Sequence, residues 1–503
     1  MPAFDSDREG HSRLRVWHMA VTGFDRLGRI RLWLGTHGFA PALCAIVALG
    51  VALRVCALEY QSLWRDEIFS LITTDPALTL REFWDRVLAD THPPIYYLLL
   101  RLSSAVFGQS DFAARGPSAV FGILTLCVTA ILPGSSLSRS ARLALPLLIA
   151  ASPGAAWYDR EARSYALLLL LSTVITLACL RFVRSMPDEE PKARRAVVML
   201  TAAAVLASFT HYLGFLLAMA AFSTCFVLAE GRRRVIVGLA SCSVVVLFVP
   251  WVMYHSQFVD ARLATWIGKF SIIASMDWFG YLSFGGTASL ALFVGTAAAL
   301  LATGGWRQLA EWYSPIWACT LLCLLTLAAA AAISLHTPIL TSRNMIVVLP
   351  ALYVIAAELT SSLMGRWGAA VGAMYLAAQA GLMSQSIVAY YTKEMKEQWR
   401  DSAALVLHTP GCESGTIHVY GDSANYRFFT KSVRPQLRLI EIPEGATKDL
   451  GHEPPTSCPI LLWVVGWAWN ADDLGGRLGL SAPSFGVADF YGAFVVFRNP
   501  PYT

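Results

Sequence analysis

Two adjacent carboxylates, Asp66 and Glu67, lie in the segment LWRDEIF at residues 63–69, a few residues beyond the first long apolar run. At the depth of lipid headgroups, adjacent carboxylates are costly to desolvate, so they usually serve a site or pair with a cation. The segment is therefore a candidate site. An ion pair between Arg65 and Asp66 on a solvated loop is the alternative that spacing alone leaves open.

A second group of functional residue types, THPPIYYLLLR, follows at residues 91–101. Its two prolines predict a turn from extended chain into a helix, because proline suits the first helical turn and disfavours helical conformation in the preceding residue. His92 at this turn can donate to a phosphate, or it can serve as a cap or packing residue. Tyr96 falls where aromatic side chains collect at membrane interfaces, and stacking on a sugar is its less favoured role.

The elements that must position these groups are apolar. Of the 503 residues, 56% are hydrophobic and 15% are charged, and the mean hydropathy is +0.52, which is more apolar surface than one soluble core can bury. A bilayer core about 30 Å thick needs about 20 apolar residues per helix, so we predict an all-α polytopic membrane protein with about eleven transmembrane helices. The net charge of +5 is spread over short clusters, which argues against nucleic acid as a partner.

Arginines near the ends of the apolar runs predict the orientation. They occur in every second connection, and lysine and arginine at span ends favour the cytoplasm. We therefore expect a multi-pass plasma membrane protein, or inner membrane protein in a bacterium, with a cytoplasmic amino terminus and a periplasmic or exoplasmic carboxyl terminus. The connections 59–115 and 157–163 then face outward. The predicted spans are 39–58, 116–133, 143–156, 164–182, 196–211, 213–229, 235–254, 283–303, 315–334, 344–363 and 367–389.

Composition divides the chain into three parts. Residues 1–38 form a basic cytoplasmic segment, which is either an interfacial helix or a solvated tail. Residues 39–392 form the transmembrane domain, and residues 393–503 form a small exoplasmic α/β domain rich in turn residues. Cys412 and Cys458 in this tail form a disulfide in an oxidising compartment or remain two free thiols. Short alternating or apolar runs in the tail lie at 404–407, 416–420, 437–442, 459–465 and 493–497.

Four segments together resemble the GT-C superfamily of membrane glycosyltransferases. They are the Asp66-Glu67 pair, HPPIYYLLL at 92–100, FAARGPSAVFG at 112–122 and YDREARSY at 158–165. The resemblance is nearest to the protein-mannosyltransferase and aminoarabinose-transferase-like group, glycosyltransferase families 39 and 83. It covers about residues 39–180 by motif, and the remainder by topology alone.

The resemblance implies a sugar donor carried on polyprenyl phosphate, an active site at the exoplasmic face, and an acidic residue of the first outer loop as general base. On this sequence the base is Asp66, with Glu67 as its neighbour. The acidic position of the second outer loop falls on Asp159 or Glu161, and the sequence does not choose between them.

The implied reaction explains which cations are needed. Inverting transfer passes through an oxocarbenium-like state, and a carboxylate that deprotonates the acceptor hydroxyl helps only from the side opposite the leaving group. The leaving phosphate gains charge, which fixed cations stabilise. Arg163 and Arg343, at the outer ends of spans, are placed to make forked contacts, and Lys269 is a weaker candidate. Arg163 can instead pair structurally with an acidic neighbour, Asp159 or Glu161.

Two rival functions belong to other classes. A flippase or transporter of lipid-linked sugars concentrates ionisable groups near the bilayer midplane, whereas these clusters lie at span ends. A non-catalytic scaffold leaves the carboxylate pair and the proline turn unexplained. The partners we predict for the enzyme are membrane lipids, a polyprenyl-phosphate sugar and a glycan, lipid or protein acceptor. We predict no required cofactor or metal, with a carboxylate-bound divalent ion as the open alternative.

Overall fold

The computed structural model describes residues 38–186, 188–259, 280, 283–305, 315–341, 343–443, 450, 457–466 and 485–498. This part of the chain is mostly helical, with a small sheet near its carboxyl end. The basic segment 1–38 falls outside the described residues except for its last position.

Seventeen α-helices lie in the described part. The first eleven are α1 Phe39–Val55, α2 Arg65–Thr73, α3 Leu80–Ala89, α4 Ile95–Phe107, α5 Asp111–Ile131, α6 Ala141–Ala150, α7 Pro153–Tyr158, α8 Tyr165–Val183, α9 Glu190–Ser208, α10 Tyr212–Leu228 and α11 Gly231–His255. The other six are α12 Thr287–Leu300, α13 Pro315–Ser334, α14 Leu349–Trp367, α15 Ala369–Thr392, α16 Trp399–His408 and α17 Ser423–Thr430. A 3₁₀ turn, Arg343–Val348, leads directly into α14.

Several of these helices are long and apolar enough to cross a membrane, so the chain is an integral membrane protein. By length and composition, five in the described part qualify, and shorter apolar helices accompany them. Each of the eleven predicted spans overlaps a helix, but the number of membrane crossings stays a prediction. The five are Asp111–Ile131, Tyr165–Val183, Gly231–His255, Pro315–Ser334 and Arg343–Trp367.

One predicted span, 143–156, is not a single helix. The chain breaks between α6 and α7, where the Ser152 hydroxyl accepts a hydrogen bond from the amide of Ala155 at 3.1 Å and Pro153 occupies the first turn. A serine cap followed by proline starts a new helix, because the hydroxyl binds a free amide and proline needs no hydrogen bond there. Helix α7 is followed by the turn that carries Glu161 and Arg163.

Helix α8 lies at the centre of the bundle. It packs against α5, α9 and α10, and nearly all its side chains are buried. Helix α11 is the contrast, since large apolar residues such as Leu239 and Val246 are exposed. An exposed apolar face of this kind is what lipid contact requires.

The carboxyl-terminal segment forms a five-stranded mixed sheet. Its strands are β1 Thr416–Tyr420, β2 Arg438–Ile442, β3 Ile460–Val465, β4 Phe485–Phe490 and β5 Ala493–Arg498, in the order β2-β1-β3-β5-β4. Strands β2, β1 and β3 are parallel, and β5 pairs antiparallel with β3 and β4. Because β1 and β3 are parallel neighbours, the residues that precede them lie close together, and Cys412 and Cys458 form a disulfide there.

The sheet confirms four of the predicted apolar runs as strands. The run at 404–407 is instead part of α16, whose buried residues Trp399, Ala403 and Val406 recur at helical spacing. Strand β4 was not predicted, because its residues are only partly buried and the run carries no strong alternation.

Candidate active site

Helix α2 presents Asp66 and Glu67 in two different directions. Successive residues of a helix are rotated by about 100°, so adjacent carboxylates cannot share one surface. The Glu67 side chain turns inward and accepts a hydrogen bond from the Trp64 amide at 3.3 Å, at the start of the helix. Asp66 stays partly exposed.

Asp66 forms an ion pair with Arg343, which lies at the start of the 3₁₀ turn before α14. The distance between Asp66 Oδ2 and Arg343 Nη1 is 2.5 Å, and the two side chains are 27% and 18% exposed. The Arg343 guanidinium also lies over the ring of Trp64, 5.7 Å from its centroid. An ion pair that remains open to solvent can exchange its partner for a ligand, because no buried charge is left behind.

Glu67 is fully buried among cations. Arg115 on α5 donates to both carboxylate oxygens at 2.8 Å, Lys396 Nζ lies 3.2 Å from Oε2, and the Ala162 amide donates to Oε1 at 3.0 Å. Burial alone would raise the pKa of Glu67, but the charges of Arg115 and Lys396 outweigh it and lower that pKa to about 2. Glu67 is therefore held ionised in a fixed position.

Arg115 itself is fully buried. In addition to Glu67, it donates to the backbone carbonyls of Leu58, Gln61 and Ser62 at 2.8–2.9 Å. It therefore holds the connection between α1 and α2 against α5.

The structure separates the two acidic positions of the connection between α7 and α8. Glu161 joins the Glu67 cluster, since its Oε1 lies 3.2 Å from Lys396 Nζ and accepts a hydrogen bond from the Trp157 indole at 2.6 Å. Burial and the neighbouring Glu67 charge raise the pKa of Glu161, although Lys396 opposes them. Its other oxygen, Oε2, is buried with no hydrogen-bond partner among the described residues.

Asp159 faces a different partner, Arg54 on α1. Arg54 Nε donates to Asp159 Oδ2 at 2.7 Å, and both side chains are completely buried. Asp159 also packs so closely on Gly122 of α5 that a Cβ there would lie 2.4 Å from its Cγ. This pair holds α1 and α5 against α7. Of the two positions that the sequence left open, Glu161 is the one that joins the cluster around α2.

A second polar cluster surrounds Arg163, just before α8. Arg163 Nη1 lies 3.2 Å from the Ser70 hydroxyl and 3.3 Å from the Tyr97 hydroxyl, and its Nη2 lies 3.4 Å from His92 Nδ1. Its Nε is buried and has no hydrogen-bond partner in the described part of the chain. Electrostatic interaction links Arg163 to Asp66, so this cluster adjoins the Asp66–Arg343 pair.

Asp90 fixes the two aromatic members of the second cluster. Its Oδ2 lies 3.0 Å from His92 Nδ1 and accepts a hydrogen bond from the Tyr97 hydroxyl at 2.5 Å. Burial raises the pKa of Asp90, but the His92 and Arg163 charges and these hydrogen bonds lower it overall. His92 thus contacts a carboxylate and Arg163, and Pro94 rather than His92 precedes the first residue of α4.

The structure does not bring all the predicted site residues together. Asp66, Arg343, His92 and Arg163 share one region, with Glu67 and Glu161 buried beside it. Tyr96 points elsewhere, into the core, where its hydroxyl pairs with Ser118 at 2.9 Å. Lys269 lies outside the described residues.

Sequence reasoning missed four members of the site. Arg115, Asp90 and Tyr97 all lie within or beside the motifs that suggested the family, but burial was needed to identify their roles. Lys396 carried no signal, because it belongs to an ordinary charged stretch, KEMKEQWR, in the tail. Its partners are more than 200 residues away, and only the fold brings them together.

The carboxylates of the site are matched to side-chain cations. In the described part of the chain, no group of three or more histidine, cysteine, aspartate or glutamate side chains is arranged to hold a metal ion. Asp66 pairs with Arg343, and Glu67 and Glu161 share Lys396. A metal ion would have to displace these cations.

Comparison with known proteins supports the fold. A family model described as dolichyl-phosphate-mannose-protein mannosyltransferase matches residues 91–254, about a third of the chain, including His92, Asp159, Glu161 and Arg163. No curated protein matches the chain by sequence.

Solved structures of membrane glycosyltransferases share the architecture. ArnT from Cupriavidus metallidurans bound to undecaprenyl phosphate is 15% identical with a TM-score of 0.53, and the match covers 91% of this chain and 97% of that one. The apo state of the same protein gives 14% identity and a TM-score of 0.55 over the same shares. The archaeal oligosaccharyltransferase AglB from Archaeoglobus fulgidus, in complex with an inhibitory peptide and dolichol-phosphate, gives 13% and 0.50, covering 81% and 64%. The resemblance to the GT-C superfamily is confirmed.

Proposed function

We propose that this protein is a glycosyltransferase that moves a sugar from a polyprenyl-phosphate carrier to a glycan, lipid or protein acceptor at the exoplasmic face of a membrane. The observation that carries the proposal is the partly exposed Asp66–Arg343 pair, beside a buried Arg163 whose Nε has no described partner. It combines a base with two cations. The GT-C fold and the ArnT structure bound to undecaprenyl phosphate support the same class of donor.

The proposed reaction is a single displacement with inversion. The acceptor hydroxyl oxygen attacks the anomeric carbon, and the bond from that carbon to the carrier phosphate oxygen breaks. The phosphate leaves with the bonding electrons, and Asp66 takes the proton of the acceptor hydroxyl. Asp66 is accessible enough to meet an acceptor, whereas Glu67 is fully enclosed by Arg115, Lys396 and backbone amides.

Arg343 and Arg163 stabilise the leaving phosphate in this proposal. A buried guanidinium N–H without a partner is costly, and a phosphate oxygen is a strong acceptor for it. When the donor binds, the Arg343 guanidinium can exchange its contact with Asp66 for one with the phosphate, which leaves the Asp66 carboxylate available to accept a proton. His92 adds a third contact, and Asp90 fixes its ring. Lys269 is kept as a further candidate for the donor phosphate.

The proposed topology follows the arginine pattern, with the amino terminus cytoplasmic and the residues after 392 outside. A disulfide between Cys412 and Cys458 supports this orientation, because disulfides persist in oxidising compartments. We also propose the division into a segment 1–38, a transmembrane domain 39–392 and a domain 393–503, and that the reaction needs no cofactor.

The test compares lipid-linked sugars and envelope glycans by mass spectrometry in cells that carry the wild type, a deletion, Asp66→Asn or Asp85→Asn. Asp85→Asn is the matched control, since Asp85 lies on α3 in the same connection, 59–115, with its side chain 70% exposed. We expect the deletion and Asp66→Asn to remove one sugar from an acceptor while its polyprenyl-phosphate donor accumulates. The control should behave as wild type.

A different result would point to another function. If Asp66→Asn behaves as wild type while the deletion strands a lipid-linked sugar on the inner leaflet, the protein is a flippase. The experiment also identifies the sugar and the acceptor, because the missing glycan and the accumulated carrier are both measured.

A further inference from the structure

We infer that Lys396 is a positioning residue for Asp66. Lys396 lies in the segment after α15 and joins this segment to the two segments that carry Asp66 and Arg163. The inference rests on the proposed function. The Lys396 ammonium lies 3.2 Å from both Glu67 Oε2 and Glu161 Oε1, and all three side chains are at most 1% exposed. One cation thus bridges two buried carboxylates from different parts of the chain.

The bridge determines where Asp66 stands. Glu67 follows Asp66 on the short helix α2, so a fixed Glu67 sets the rotation of the helix and the direction of Asp66. Glu161 lies two residues before Arg163, and its backbone neighbour Ala162 donates to Glu67 as well. Lys396 therefore holds the base and one phosphate-binding cation in a common frame.

The ammonium group is itself held in place by aromatic rings. The rings of Trp64 and Trp157 lie 5.8 Å from Lys396 Nζ, within the range of cation–π attraction. Trp64 precedes α2, and the Trp157 indole donates to Glu161. The rings therefore come from the same two segments that supply the carboxylates.

The backbone around Lys396 is fixed by separate contacts to the first loop. Gln61 donates to the Lys393 carbonyl at 2.7 Å and accepts from the Met395 amide at 3.0 Å. On the other side, the Arg400 amide donates to the Ser62 hydroxyl at 3.0 Å. These contacts do not involve the ammonium group, so removing its charge leaves the local backbone connections in place.

Charge balance makes the inference testable. Glu67, Glu161, Arg115 and Lys396 sum to zero when all four are ionised. Removal of Lys396 alone leaves a buried carboxylate without its cation, whereas removal of Lys396 and Glu161 together restores neutrality. A side chain that only filled space would not be rescued by the second change.

The experiment measures steady-state transfer by the purified full-length protein. Its probe is the polyprenyl-phosphate sugar that accumulates in deletion cells, extracted and isotopically labelled. The variants are Lys396→Met, Glu161→Gln, the double variant and Lys393→Met, whose exposed lysine makes it the matched control. We expect Lys396→Met to lower kcat by about 10- to 100-fold with KM changed much less, because a small displacement of a reacting group has that effect.

The double variant should recover to within about threefold of Glu161→Gln alone, which double-mutant analysis records as coupling between the two residues. The inference is overturned if Lys396→Met matches Lys393→Met, or if the double variant is as slow as the product of the two single effects. Should Lys396→Met fail to fold, the double variant decides. If the double variant folds and transfers sugar, the inference is supported. If the double variant fails to fold although Glu161→Gln alone folds, the inference is overturned.

Failure of the proposed function looks different. The proposed function fails if the wild-type protein shows no transfer that depends on the donor, or if Asp66→Asn transfers sugar at the wild-type rate. If wild type transfers sugar and Asp66→Asn does not, while Lys396→Met matches its control, only the role of Lys396 is lost.

Discussion

Two regions of the molecule use adjacent carboxylates in opposite ways. In the open region, Asp66 pairs with Arg343 and both side chains keep some exposure. In the enclosed region, Glu67 is completely buried between Arg115 and Lys396. In the proposed reaction, the open carboxylate Asp66 changes partners, whereas the enclosed carboxylate Glu67 stays fixed.

The two regions also differ in what binds them together. The open pair joins the first loop to the start of α14. The enclosed cluster joins α2, α5, the connection before α8 and the tail, and it adds backbone amides to the side-chain cations. Substitutions in the open region should therefore affect activity with little change in stability, whereas substitutions in the enclosed region should lower stability and, through the position of Asp66, activity as well.

The largest effect is expected for Asp66→Asn. Loss of a general base costs about 10²- to 10⁴-fold in rate, so kcat for transfer from the polyprenyl-phosphate sugar should fall by that factor. The unfolding free energy should change by less than about 1 kcal/mol, because the pair is partly exposed. Kinetics and thermal unfolding of the detergent-purified protein measure both. A large loss of stability would show that Asp66, like Glu67, holds the fold, and the two regions would then not differ in role.

Glu67→Gln should differ from Asp66→Asn by a large loss of stability. Removing one partner from a buried ion pair costs about 3–5 kcal/mol, because the remaining charges lose their counterion. Glu59→Gln, on an exposed residue of the same loop, should stay within about 0.5 kcal/mol of wild type. If the unfolding free energy of Glu67→Gln is also within about 0.5 kcal/mol of wild type, the cluster does not hold the fold.

The stability difference between wild type and Glu67→Gln should depend on pH. The pKa of Glu67 is lowered from 4.5 to about 2, so its contribution is complete above pH 4.5 and is lost as pH falls toward 2. The difference should therefore shrink on acidification. A difference that stays constant from pH 5 to pH 2 would contradict the ionised state of Glu67.

A smaller effect is expected for Arg163→Lys, beside the open region. Lysine keeps the charge but cannot form the fork, so one charge-assisted hydrogen bond to the donor is lost, about 10- to 100-fold in kcat/KM. Arg81→Lys is the control, since Arg81 is 93% exposed on the same loop. Equal activity of the two variants would assign Arg163 a structural role with Ser70 and Tyr97.

The sequence was sufficient to predict the helical membrane architecture, because long apolar runs have few other uses. It also predicted most of the small sheet. It did not show the break at Ser152, because the apolar run 143–156 continues through the serine and the proline, although this run is shorter than the roughly 20 residues that a span needs. The predicted number of about eleven membrane crossings stays a prediction, because apolar length does not say whether a helix crosses or stops.

The site was predicted in part. Polar residues at the ends of predicted spans stand out in an apolar sequence, and this made Asp66, His92, Arg163 and Arg343 candidates. Spacing alone did not distinguish Asp66 from Glu67, since neighbours in sequence look alike until the helix rotation is known, and only the family resemblance assigned Asp66 as the base. The role of Lys396 could not be predicted from the sequence, because it depends on contacts with residues that are distant in the chain.

The smallest effect is expected from removal of divalent metal ions. Each carboxylate near the reaction already has a protein cation: Arg343 for Asp66, and Lys396 for Glu67 and Glu161. A divalent ion prefers several oxygen ligands, and binding here would have to displace those side chains and bring positive charges together. Transfer by the purified protein should therefore change by less than about twofold after treatment with EDTA, as measured with the same labelled donor. Activity that is lost on chelation and restored by Mg²⁺ or Mn²⁺ would mean that Asp66 exchanges Arg343 for a metal ion during the reaction, and the open region would then be a metal site rather than an ion pair.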